Sequence, residues 1–226
     1  MASESKSFPC VLYSSKLKSG APSDTRILLE IALVFGLILV AVWTPQGHLN
    51  STAGLAAAFL TIALTFLSVC SPGELGLTRP FSGAALTLGL GALLVMVIVA
   101  VGYATRSLGS PQALPLNRAW QYAIWALVQE FILQSFIYVR LELVVGSRWA
   151  VLGAACLFAL AHVPSPLLTV LSFLGALLFC EMFRRYRNIY TLGLVHAALG
   201  LTIASSLPDQ LLHHMRVGIG FLVYHG

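Results

Sequence analysis

Seven apolar runs, parted by short polar or Pro- and Gly-bearing breaks, set the pattern of this chain. They cover about Ile27–Trp43, Ser51–Cys70, Phe81–Tyr103, Arg118–Val145, Trp149–His162, Leu167–Phe183 and Ile189–Leu207. A helix of about 20 apolar residues crosses a hydrocarbon core of ~30 Å. The pattern therefore predicts an all-α, polytopic membrane helical bundle of about seven transmembrane helices. Within the third run Gly83, Gly89 and Gly91 predict a narrow surface where a neighbouring helix comes close.

Residues 1–25 form a polar tail, 26–207 the bundle, and 208–226 a short tail, too Gly-interrupted to span and expected at the membrane interface. No short apolar core followed by a cleavage site precedes the first run, so that run is expected to remain as a span. With the N-terminus cytoplasmic, Lys6, Lys16, Lys18, Arg26, Arg79, Arg140, Arg148, Arg184, Arg185 and Arg187 fall on the cytoplasmic side. Only Arg106, Arg118 and Arg216 fall outside, a bias that the positive-inside rule expects.

Composition agrees with a membrane solvent: 58% of the 226 residues are hydrophobic and 9% charged, with a mean hydropathy of +0.88. The net charge of +5 forms no basic stripe, so the lipid bilayer is the expected partner and nucleic acid is not. The expected location is the cell membrane. Cys10, Cys70, Cys156 and Cys180 show no metal-ligand spacing and are read as packing residues or free thiols. Arg26 and Glu30, and Glu181 with Arg184 and Arg185, stand at helical ion-pair spacing. The sequence offers no physical account of residues 213–218.

The fourth run departs from lipid-facing composition. It carries Gln129, Glu130 and Gln134 at its middle, and Glu130, Gln134 and Tyr138 recur at i, i+4 and i+8 along one face. A carboxylate at mid-bilayer costs ~2.5–3.5 kcal/mol even on the lenient insertion scale, so Glu130 must face protein or a wet cavity. His162, four residues after Phe158, and His196, four before Gly200, are the other ionisable residues at membrane depth. Helical rise brings Glu130 and His196 to similar heights, with His162 somewhat further out.

The spaced set Gln129-Glu130-x3-Gln134, Phe158-x3-His162 and His196-x3-Gly200 resembles the CPBP (Abi) family of intramembrane proteases, which includes the type II CAAX prenyl endopeptidases. The resemblance covers about residues 120–207. That family carries EExxxR, then FxxxH, then a histidine followed four residues later by Asn or another small polar residue. Here Gln129 replaces the first glutamate, Gln134 the arginine and Gly200 the Asn. The resemblance implies an intramembrane endopeptidase acting on a membrane-embedded or lipidated peptide or protein. In it Glu130 and His162 activate water and His196 stabilises the oxyanion, with Gln129, Gln134, Tyr138, Phe158 and Gly200 supporting or binding substrate. No cofactor is expected, the alternative being zinc held by Glu130, His162 and His196. The alternative function is a non-proteolytic relative that binds a lipid or partner protein, or one acting on a lipid or isoprenoid substrate in the same cavity.

Overall fold

A computed structural model of the chain describes residues 23–68, 70–107 and 116–223. Its long helices are α1 (Asp24–Trp43), α2 (His48–Phe66), α3 (Ala84–Ala104) and α4 (Leu116–Glu130), the last continued by a π-helical stretch (Phe131–Tyr138) into α5 (Val139–Val145). After these come α6 (Ser147–Leu160), α7 (Pro166–Tyr186) and α8 (Ile189–Ser206), then two short helices, α9 (Asp209–Leu212) and α10 (Ile219–Leu222). The chain is a polytopic membrane helical bundle.

Among the described residues six helices are long and apolar enough to cross a membrane: α1, α2, α3, the rod from Ala119 to Val145, α7 and α8. The expected fifth span is shorter than the others. Gly146, at φ +80°, breaks the chain before α6 and the Val163-Pro164-Ser165-Pro166 turn ends it, leaving 14 residues. At 1.5 Å per residue that is about 21 Å, less than a full hydrocarbon core. The large apolar side chains that remain exposed, such as Leu55, Phe59, Met96 and Leu194, lie on the outside of the bundle. In water this surface would be an aggregation liability; against acyl chains it is the ordinary exterior of a membrane protein.

Polar groups sort to two ends. At one, the Asn188 side chain caps α8 by accepting from Tyr190 N and Thr191 N, while its amide donates to Pro80 O at 2.7 Å and Ser82 O at 3.1 Å. At the same end Arg140 donates to Glu30 at 3.1 Å and to Leu64 O at 2.7 Å, and Arg187 pairs with Glu142. The expected pairs of Arg26 with Glu30 and of Glu181 with Arg184 and Arg185 are present. At the other end the Ser107 hydroxyl donates to Ser206 O. Thus α3 and α8 start together at the basic end and finish together at the other, and so run parallel.

Close helix approach occurs at Gly91, where a Cβ would meet Val195 carbons at 2.7 Å, and at Gly193, where it would meet Leu127 Cδ1 at 2.8 Å. Gly83, at φ +65°, leaves room for the Tyr186 ring. Gly89, expected on the same narrow surface, faces open space instead, because it lies two residues from Gly91 and so on another side of the helix. Cysteine also departs in part from expectation. Cys156 and Cys180 are free thiols, but Cys70 is disulfide-bonded; α2 ends at Phe66, so Cys70 stands in the following loop rather than packed in a span. Cys10 lies outside the described residues.

Candidate functional site

The π-helical stretch begins one residue after Glu130. There the backbone bonds reach five residues back, as Val139 N does to Gln134 O, a widened geometry that is rare, and frequently found at functional sites. It carries Gln134, Ser135, Phe136 and Tyr138 into the bundle interior, all wholly buried.

Glu130 is itself wholly buried and its two oxygens are engaged. Oε1 lies 2.9 Å from His196 Nδ1, and Oε2 accepts from Gln134 Nε2 at 3.0 Å. Gln134 Oε1 has no partner among the described residues. The Gln134 carboxamide holds the carboxylate without neutralising it, so among the described residues the ionisable partner left to Glu130 is His196.

His162 stands in the turn after α6, its Nδ1 2.7 Å from Phe158 O. The Phe158 ring packs against both imidazoles, 4.8 Å from His162 and 6.0 Å from His196 between centroids, and Phe179 covers His196 from another side at 5.7 Å. The two histidines thereby share one wall.

That wall belongs to a cavity of about 360 Å³, bounded by α1, α2, α4, α6, α7 and α8. His162, His196, Gln129, Phe158 and Gly200 line it, whereas Glu130 does not; it contacts His196, which does. Most of the lining is apolar, from residues such as Ile38, Val42, Leu168, Leu171 and Phe179. The tail closes one side. Met215 and Val217 line the cavity, and Gly218 N donates to Val163 O at 3.0 Å. Gly218 is at φ +55°, and a Cβ there would overlap the Val42 carbonyl oxygen. Residues 213–218, opaque in the sequence, thus strap the tail across the cavity.

Tyr138 lies elsewhere. Its hydroxyl donates to Glu142 at 3.1 Å, and its ring packs edge-on against Phe183 with the Arg187 guanidinium nearby. Eight residues carry it about 12 Å along the helix axis from Glu130, to the basic end. Sequence reasoning missed Tyr122, which lines the cavity with its hydroxyl beside Gly200. The available signal was its spacing of seven residues from Gln129, on one face of α4.

As a zinc site the three ionisable residues do not fit. Glu130 spends its oxygens on His196 Nδ1 and Gln134, and no group of three His, Cys, Asp or Glu spaced to hold a metal occurs among the described residues.

Comparison with known proteins agrees with the motif geometry. Residues 111–202 match the family described as "Rce1-like: Type II CAAX prenyl endopeptidase Rce1-like". No curated protein and no solved structure matches the chain. The matched segment contains Glu130, His162, His196 and the cavity wall between them, so in this segment the membrane protein is similar to the type II CAAX prenyl endopeptidases.

Proposed function

We propose that the protein is an intramembrane endopeptidase that hydrolyses a peptide bond of a membrane-associated, lipidated substrate. The observation that carries this reading is the contact of buried Glu130 with His196 at the wall of a membrane-depth cavity that also presents His162. The apolar lining suits a lipid-bearing segment, and the family match supports the reaction class. The N-terminus and the basic end of the bundle are assigned to the cytoplasmic side of the cell membrane.

The roles differ from those expected from sequence, because Glu130 reaches the cavity only through His196. Its carboxylate orients the imidazole and stabilises the imidazolium, as the acidic member of a catalytic triad does. His196 Nε2 is then the general base, and His162 Nε2 accepts the second hydrogen of the same water and aims its lone pair. As the water oxygen bonds to the carbonyl carbon, one proton passes to His196 and the carbonyl π pair moves onto oxygen. Collapse of the tetrahedral intermediate breaks the C–N bond, and the leaving amine takes the proton from His196. Gln129, on the cavity wall, is a carboxamide that takes no proton and serves to bind substrate.

A second reading, a non-hydrolytic relative that holds a lipid or acts on an isoprenoid, draws on the same apolar lining and on Gln129. Full-length protein in proteoliposomes, offered farnesylated and unmodified quenched-fluorescent peptides, separates the two. Cleavage of the farnesylated peptide that is lost in Glu130→Gln, His162→Ala and His196→Ala supports the protease. Equal cleavage by all three variants, or a co-purifying lipid with no cleavage by the wild type, overturns it.

A further inference from the structure

Both site histidines present acceptors to the cavity. A backbone carbonyl only accepts, so His162 Nδ1 must carry its proton to bond Phe158 O, and His196 Nδ1 must likewise donate to the Glu130 carboxylate. In a neutral imidazole the other nitrogen is then a lone pair. Two acceptors suit a water molecule, but they leave the developing oxyanion without a donor. Acyl transfer relies on preorganised donors aimed at that oxygen.

Tyr122 supplies one. A Cβ added at Gly200 would overlap the Tyr122 hydroxyl oxygen and would meet its ring carbons Cζ and Cε1 at 2.6 and 2.7 Å. The hydroxyl therefore occupies the space that a side chain at position 200 would fill. Gly200 lies one turn after His196 on the same helix, where side-chain origins are about 5–6 Å apart. The hydroxyl is thus held one turn from the base, on the wall of the same cavity. No hydrogen-bond partner is found for it among the described residues, so its proton is uncommitted.

We infer that Tyr122 is a catalytic residue whose hydroxyl donates to the oxyanion, and that Gly200 is bare so that Tyr122 can enter. The inference rests on the hydrolytic reading above. It also accounts for one family departure: the polar side chain missing at position 200 is replaced by a phenol delivered from α4.

The test uses the full-length protein in proteoliposomes with the farnesylated quenched-fluorescent peptide. Tyr122→Phe removes only the hydroxyl and should lower kcat about 10²- to 10³-fold, as loss of one oxyanion donor does. KM and the melting temperature should stay at wild-type values. Gly200→Ala, which displaces the ring, should lower kcat as well. In Tyr122→Ala/Gly200→Asn the carboxamide has room to enter and should recover at least about tenfold over Tyr122→Ala alone, by restoring a donor. Wild-type kcat in Tyr122→Phe, or a loss seen only in KM or thermal stability, overturns the role while leaving a Glu130-dependent protease intact. A wild-type protein that cleaves neither peptide overturns the proposed function and this role together.

Discussion

His196 Nδ1 sits 2.9 Å from Glu130 Oε1, across 66 residues of sequence and between two different helices. The contact gives a wholly buried carboxylate its ionisable partner and leaves the imidazole's other nitrogen outside that bond, on a side chain that lines the cavity. It makes the chemistry of the site a property of the pair. A carboxylate in a low-dielectric interior holds its partner's tautomer and orientation far more firmly than one in water would.

Glu130→Gln should preserve shape while removing the charge that stabilises the imidazolium. We expect kcat to fall by ~10²–10⁴-fold with KM little changed, the behaviour of an orienting acid in a triad. Steady-state hydrolysis of the farnesylated peptide measures it, and an unchanged kcat would refute the orienting role.

The two histidines should differ in their effect on stability. His196→Ala strands Glu130 with one neutral donor, and a hydrogen bond to a charged group is worth about 1.5–3 kcal/mol. His162→Ala removes a single bond to a backbone carbonyl, worth about 1 kcal/mol. Unfolding in SDS–detergent mixtures should therefore rank His196→Ala well below His162→Ala.

Gly91 and Gly89 form an internally controlled pair on α3. A Cβ at Gly91 would press on Val195 carbons at 2.7 Å, so Gly91→Ala should destabilise by about 1–3 kcal/mol through overpacking. Gly89 faces open space, and Gly89→Ala should be neutral or stabilise by up to about 1 kcal/mol from helix propensity. Equal melting temperatures for the two variants would contradict the α3–α8 contact.

The tail strap hinges on Gly218. A side chain there would collide with the Val42 carbonyl oxygen and would sit at an unfavourable φ of +55°. Gly218→Val should release residues 209–223, seen as faster amide exchange by mass spectrometry. Gly220→Ala should leave exchange unchanged, since its Cβ would make only an ordinary contact with Arg216 at 3.7 Å.

The sequence by itself determined the membrane bundle, because apolar run length against bilayer thickness needs no partner to be read. It also determined the pairs of Arg26 with Glu30 and of Glu181 with Arg184 and Arg185, where helical spacing brings the charges together. It marked Glu130, His162 and His196 as costly at membrane depth, and hence as inward-facing. Tertiary structure decided what each of them meets. Glu130 faces His196 and Gln134 rather than the cavity, and Tyr138 serves the basic end. Gly91 packs where Gly89 does not, and Tyr122 fills the space beside Gly200. Periodicity along one helix says which residues share a face. Which neighbour that face meets depends on the rotation and height of another helix, and those are set by packing among residues far apart in the chain.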